Sequence, residues 1–588
     1  MSTALTESHE LHAPPARRGR ALVSLLVPLV VYALVTVPMA LRHLEKLNTD
    51  GVVYIRRAMY LVAGNFEAAV SGYWAPLISW TMAPLIGAGV DGVHAARLVM
   101  CLWGAALLVA FWVFLRTFTR FSETWRLAAG CTLAVCVSPW AVRQITPDVA
   151  LATCLLLYFS ASVSDRLLKS YRWALLTGTA GGLAYLSKSY ALPVVLVHLP
   201  ATLLLRKWAT GKSGSDAGAP TVSYPRLAAT LGLGLVGFAV VAGPWIGVLS
   251  NKHGRFTFST SGKIAHALVG PHLRGVKPMP VGLTPDPFIE MHENPETYAS
   301  GQWSPWQSAE NFDWQLKVIG QKAPLVVKFL GSYDLLKLVL VALPLGLLLA
   351  TGIVKVHGER WRLLWLVGTI ALFSGGFAMV WVIRRYFIPV ALPLGIVLCL
   401  KVAMDWRSRR EKAEQDAGVG PLDWVRRALG AIVLLSFLAV GANEVRSLLN
   451  RRSTPIYRQL ANILRKHDIS GPLTSSDRER GFYVAHHLNA KFSNFPGLKH
   501  PDKAHQQLLE HKVRYLILWN LKSGGEEAED AEPARQRIAR ELVERNGWVE
   551  RLNLKKANVK VYESPAFATT RPAAQANDSE PEPEDQEQ

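Results

Sequence analysis

Several short stretches of this 588-residue chain set reactive side chains just where apolar runs stop. Asp50 lies in Asn48-Thr-Asp-Gly-Val-Val-Tyr54, shortly after the uncharged run from Ala21 to Leu41. A carboxylate there can accept the proton of a hydroxyl as that hydroxyl attacks a sugar carbon; an aspartate at a helix start is also an ordinary N-terminal cap. Asp148 ends Trp140-Ala-Val-Arg-Gln-Ile-Thr-Pro-Asp148, where Pro147 and the acid equally spell a helix start. Lys188, in Leu186-Ser-Lys-Ser-Tyr190, sits in a very short turn between two apolar helices. A cation at that depth suits an anionic partner, or it snorkels to the interface. Arg384, Arg385 and Tyr386 fill another short turn, in Trp381-Val-Ile-Arg-Arg-Tyr-Phe-Ile-Pro389. A guanidinium fork matches phosphate oxygens, and it serves as well for anchoring or for an ion pair with Asp50 or Asp148. His266, in Gly262-Lys-Ile-Ala-His266, could contact substrate, although a lone histidine is more often structural. His486 and His487 have no companion ligands at metal spacing. Carboxylates at 50 and 148 could together take a divalent cation through oxygen, but two acids do not establish such a site.

The elements that must position these residues follow from the apolar runs. Crossing the hydrocarbon layer takes about 20 apolar residues, and only helices close their backbone hydrogen bonds there. The sequence predicts about 11 spans by this criterion, centred near residues 31, 103, 133, 156, 181, 197, 237, 344, 372, 394 and 434. The first run exceeds a signal-peptide core of about 7–15 residues and is followed by more spans, so it reads as a retained helix. The net charge of +20 could suit nucleic acid, but the basic residues concentrate in short loops between apolar runs. That distribution sets membrane topology and argues against a nucleic-acid partner. Clusters at the N-terminus, 116–126, 166–172, 206–226, 355–362 and 401–427 alternate with the remaining loops. The N-terminus is therefore expected in the cytoplasm. Loops 42–92, 138–147, 188–190, 250–333 and 384–386, with everything after about 446, are expected outside. The protein is expected in the cell (inner) membrane. Its five cysteines all lie in apolar runs, so no disulfide framework or zinc site is indicated.

Residues 1–20 and the acidic 565–588 read as disordered ends flanking a membrane module over 21–445 and a soluble unit over 446–564. In the loop 42–92, Val52, Ile55, Met59 and Val62 recur at helical spacing, which predicts an amphipathic helix from Asp50 to Gly64. Ala75 to Ile86, with Trp80, is expected to lie in the interface. The long loop 250–333 carries Trp303, Trp306 and Trp314; a loop of that length is more often functional than idle. In the soluble unit, helices are expected over 456–467 and 534–546 and strands over 513–519 and 559–562, alternating as in a layered α/β fold.

Taken together these motifs resemble the GT-C superfamily of glycosyltransferases, in particular the bacterial protein mannosyltransferases and the lipid A aminoarabinose transferase. The resemblance covers roughly residues 20–445. It rests on the acid after the first span, on Tyr73-Trp-Ala-Pro-Leu77, and on the Thr-Pro-Asp148 turn. Gly182-Leu-Ala-Tyr-Leu-Ser-Lys188 and Arg385-Tyr-Phe-Ile-Pro389 complete it. The order and common sidedness of these short motifs carry more than any one of them. The resemblance implies a polytopic α-helical membrane protein with a C-terminal α/β domain. It also implies a polyprenyl-phosphate-linked sugar donor, inversion at the anomeric carbon, and an extracytoplasmic lipid, glycan or protein acceptor. Asp50 would be the general base, and Asp148 would shape the acceptor or sugar site. Tyr54, Lys188, Arg385 and Tyr386 would line the donor phosphate site. Gly51 follows Asp50 where many protein mannosyltransferases carry a second acid, and Ala75 precedes Pro76 where some relatives carry a lysine. No element like WWDYG is present, which argues against en bloc glycan transfer. The alternative class is a transporter or flippase. Transporters tend to place broken helices and polar sites at mid-membrane in repeated halves, and no such repeat is visible. A scaffold in which the bundle only anchors the soluble unit would need far fewer spans.

Overall fold

The computed structural model describes residues 15–212, 223–271, 280–297, 303–330, 360–404, 422–451, 453, 455–497, 499–519, 534–555 and 557–568. The chain is a multi-pass α-helical membrane protein with a small mixed sheet near its C-terminus. It divides into two compact units. One comprises Met1–Lys46, Tyr54–Gly275 and Gly301–Ser453; the other comprises Leu47–Val53, Val276–Ser300 and Thr454–Gln588. Thus the residues around Asp50 and part of the long loop group with the C-terminal α/β elements.

In the first unit, seven helices among the described residues are long and apolar enough to cross a membrane. They are Gly19–Arg42, Gly92–Phe118, Glu123–Arg143, Ala191–Ala209, Tyr224–His253, Trp361–Met379 and Trp424–Leu449. Leu77–Gly87, Asp148–Val163 and Pro389–Met404 are shorter apolar helices. Ten of the expected span centres fall inside helices, that near 181 within Tyr171–Ser187; the one near 344 lies outside the described residues. Leu22, Leu26, Val30 and Leu34 on the first span stay exposed, as they can where lipid replaces water.

Helix contacts here depend on small residues and buried hydroxyls. Gly178 and Gly182 of Tyr171–Ser187 face Tyr224–His253. A Cβ at Gly178 would run into the Gly234 carbonyl, and one at Gly182 would lie 2.8 Å from Val241 Cβ. Gly237 likewise abuts the Leu175 carbonyl. The Thr36 hydroxyl donates to Ser138 (2.8 Å) and the Tyr32 hydroxyl to the Cys101 carbonyl (2.9 Å). Buried His198 lies between the Tyr158 hydroxyl (3.0 Å) and Thr369 (2.9 Å), tying three helices together. Side-chain caps start the spans: Asp91 accepts from the amides of Val93 and His94, and Ser122 accepts from that of Trp125.

The helix expected after Asp50 is present as Thr49–Val62, with Gly64 beyond it at φ +71°. Its surroundings differ from a single apolar face. Val52 and Ile55 are buried, whereas Met59 and Val62 are 40% and 47% exposed. Arg56 and Arg57 are buried instead. Arg57 donates to the Ala68 and Val70 carbonyls, and Arg56 donates to the Tyr60 hydroxyl at 2.8 Å. Those acceptors replace the water that a guanidinium would otherwise need.

In the second unit the sheet comprises β1 (Leu473–Ser475), β2 (Tyr515–Trp519), β3 (Val549–Leu554) and β4 (Val559–Glu563), in the order β1-β2-β4-β3. β1 runs parallel to β2, and β4 is antiparallel to both β2 and β3. β2 is buried along its whole length, which explains its unbroken run Tyr515-Leu-Ile-Leu-Trp519. Helices Ile456–Lys466, Arg478–Leu488, Pro501–Glu510 and Ala534–Arg545 complete the unit. Leu508, Leu516, Leu518, Leu542 and Trp548 form one core cluster. The segment 280–297 is built onto this fold. The Phe492 amide donates to the Ile289 carbonyl (2.7 Å), and the Gly282 amide to Ser493 Oγ (2.9 Å). Arg478 donates to buried Glu290 (3.0 Å) and to Asn494 (2.8 Å), while Lys491 pairs with Asp286 (2.7 Å).

Candidate active site

In the membrane unit, the chain turns from Tyr171–Ser187 into Ala191–Lys212 within three residues. Lys188 leaves the helix with extended backbone (φ −156°, ψ 122°), which frees its side chain from the helix face. Its Nζ lies 2.7 Å from Asp148 Oδ1 and 3.8 Å from the centre of the Tyr386 ring. Asp148 opens the helix Asp148–Val163 and is 3% exposed. Its Oδ1 receives Lys188, and its Oδ2 is buried without a hydrogen-bond partner. The Lys188 ammonium is thus held by a carboxylate and by the negative face of an aromatic ring. Arg385 joins the group, 5.4 Å from the Tyr386 ring centre and 3.4 Å from Gln144 Oε1.

Arg384, Arg385 and Tyr386 do not form a turn. They occupy the first turn of the helix Arg384–Met404, and the preceding link is 380–383. Two arginines at a helix N-terminus oppose the helix dipole. Arg384 is compensated by Glu444 (3.2 Å), which Arg143 also engages, and it lies 5.5 Å from the Trp140 ring. Arg384 is therefore tied to a neighbouring helix, while Arg385 stands with Lys188 and Tyr386. Beside them, the hydroxyls of Ser189, Ser259 and Ser261 form a network at 2.8–2.9 Å, and Ser259 donates to the Gly72 carbonyl. Tyr54 is 3% exposed, edge-on to Trp74 (5.4 Å), and its carbonyl accepts from Ser79. His266 stacks on Trp303 (4.2 Å, 15°) and its Nε2 lies 2.8 Å from Gln315 Oε1. Those contacts give it a packing role in the Trp303–Val318 cluster.

In the second unit, Asp50 lies in the first turn of Thr49–Val62, partly open, with 21% of its side chain exposed. Its Oδ1 is 3.4 Å from Nε2 of His292. His292 belongs to the single 3-10 turn Met291–Glu293, closed by a reciprocal capping box between Glu290 and Glu293. Glu290 and Glu293 are fully buried. Burial holds the phenol of Tyr483, on the helix Arg478–Leu488, well above its ordinary range. Among the described residues, no three His, Cys, Asp or Glu side chains gather as a metal site. Sequence reasoning missed His292, Glu444 and Gln144. Only the Glu290-Met-His-Glu293 capping pattern hinted that 290–293 was ordered.

No protein-family model matches the chain, and no curated protein matches it by sequence. Solved structures do resemble it. ArnT from Cupriavidus metallidurans in the apo state aligns over 93% of this chain and 98% of its own, at 14% identity and a TM-score of 0.50. The Archaeoglobus fulgidus oligosaccharyltransferase in the apo form covers 84% of this chain and 69% of its own, at 13% identity and a TM-score of 0.46. The arabinofuranosyltransferase AftD from Mycobacteria covers 93% of this chain and 40% of its own, at 12% identity and a TM-score of 0.46.

Proposed function

We propose, from the GT-C glycosyltransferase fold that this chain has, that it is an inverting membrane glycosyltransferase taking a sugar from a polyprenyl-phosphate carrier to an extracytoplasmic acceptor. The observation that carries the reading is the cationic group of Lys188, Arg385 and Tyr386, anchored by buried Asp148. Such a group suits a phosphate that gains charge as it leaves. Donors fixed in advance at a leaving oxyanion lower the barrier far more than donors that must reorganise. Asp148 orients Lys188 in this reading, and Asp50 is the base.

In the step, an acceptor hydroxyl oxygen attacks the anomeric carbon from the face opposite the phosphate. The carbon–oxygen bond to phosphate breaks and its electron pair leaves with the polyprenyl phosphate. The hydroxyl proton passes to the Asp50 carboxylate, and a glycosidic bond of inverted configuration forms.

The test is transfer of label from purified polyprenyl-phosphate sugars to membrane acceptors, with wild type beside Asp50→Asn. Removing a general base costs about 10²–10⁴-fold in rate, so the variant should lose transfer on that scale while folding normally. Wild-type turnover by Asp50→Asn would remove Asp50 from the base role. Counterflow uptake of donor with no bond made would replace the transferase with a transporter.

A further inference from the structure

The C-terminal α/β unit holds more than itself. Residues Leu47–Val53 and Val276–Ser300 share its compact unit, and they bring Asp50 and His292 within 3.4 Å of one another. The turn that carries His292 is tied to the α/β elements. The His292 amide donates to Glu290 Oε2 (2.6 Å), and Glu290 Oε1 receives Arg478 of the helix Arg478–Leu488 (3.0 Å). Arg478 is held in turn by Asn494 (2.8 Å), two residues from Phe492, whose amide donates to the Ile289 carbonyl. One helix of the α/β unit therefore braces the turn that carries His292, and His292 meets Asp50.

A buried ion pair such as Glu290–Arg478 adds little net stability compared with apolar packing, but it specifies geometry, since neither partner can be moved without stranding the other. Here that geometry ends at an imidazole beside a carboxylate. Nε2–H of His292 can donate to Oδ1 of Asp50. That contact restrains the carboxylate rotamer. The arrangement parallels the general rule that a base is oriented by a third group.

We propose that His292 is the positioning residue of Asp50, and that the α/β unit serves the reaction by holding the two together. This rests on the reading of Asp50 as the base. The experiment uses the full-length protein in detergent, with undecaprenyl-phosphate hexoses and pentoses as donor probes. His292→Ala should lower kcat about ten- to a hundred-fold while the donor KM stays within about two-fold. His292→Gln, whose amide can still donate, should recover most of that loss. Arg478→Met, remote from the carboxylate, should give a smaller fall of the same kind.

Hydrogen exchange read on peptides spanning 47–53 supplies a readout independent of any donor. Exchange there should quicken at least about ten-fold in His292→Ala and Arg478→Met, with the membrane-spanning helices unchanged. Unaltered protection of 47–53 in both variants overturns the proposal, whether or not a donor has been found. Wild-type kcat in His292→Ala, alongside an inactive Asp50→Asn, overturns the positioning role and leaves the base assignment standing. Full activity in Asp50→Asn removes the base reading instead.

Discussion

Lys188 and Asp148 are each other's main support, and that shapes what their substitution reveals. Replacing Lys188 with Met strands a carboxylate that is 3% exposed, a change expected to cost about 3–5 kcal/mol. Lost transfer in that variant alone would therefore report folding as much as chemistry. The informative variant is Lys188→Met combined with Asp148→Asn, which removes both charges. We expect the double variant to melt within a few degrees of wild type and to stay inactive, with thermal unfolding in detergent as the check on stability. Recovery of transfer along with stability would mean that the pair is structural and that phosphate is met elsewhere. The residue types and the ends of the apolar runs made Asp50, Asp148, Lys188 and Arg385 legible in the sequence. The partners were less so. Glu444 is the acid that Arg384 and Arg143 share, yet it lies 60 residues beyond Arg384 inside an apolar run, and nothing local marks it. His292 was invisible for the same reason, since its meaning comes from a contact 242 residues away.

At the scale of elements, the apolar runs located the helices, but the way they pack was written only in glycines. Tyr171–Ser187 and Tyr224–His253 approach closely enough that Gly178 and Gly237 face backbone carbonyls. Backbone cannot yield as a side-chain tip does, so added volume must push the helices apart. Gly178→Leu is expected to destabilise by about 1–3 kcal/mol or more, and to displace Lys188, which follows the same helix. Gly243→Leu, on the partner helix but facing open space, should be close to neutral. Equal melting temperatures for the two variants would sink this account of the helix pair. Periodicity misjudged Thr49–Val62 because it weighs side chains by hydropathy alone. Arg56 and Arg57 are buried there through carbonyls and a phenol that lie outside the helix face it examined. In the α/β unit β2, β4 and the helices Ile456–Lys466 and Ala534–Arg545 were legible, whereas β3 and the helices Arg478–Leu488 and Pro501–Glu510 were missed, and β1, three residues long, is too short for any pattern.

Across the whole molecule, the basic residues tie helix ends into one layer. Arg362 donates to the Phe118 carbonyl (3.0 Å), Arg206 to that of Ser164 (2.7 Å), and Arg226 to that of Leu168 (2.9 Å). Glu123–Arg143 runs from that layer toward Gln144, and Asp148–Val163 runs back to it. The cluster of Asp148, Lys188 and Arg385 therefore sits at helix ends opposite the basic layer. Basic loops stay in the cytoplasm, because their transfer across the membrane is disfavoured. The positive-inside rule therefore predicts that the candidate site faces outward, which labelling can check. All five cysteines are free, so they can be replaced to give a cysteine-less parent for labelling. In that background we expect Asp286→Cys, on a side chain 92% exposed, to react with a membrane-impermeant maleimide in intact spheroplasts. Lys169→Cys, beside the basic layer, should react only after the membrane is opened. The reverse pattern would turn the chain over, place Asp50 and the Lys188 cluster in the cytoplasm, and exclude an extracytoplasmic transfer however well the fold suits it.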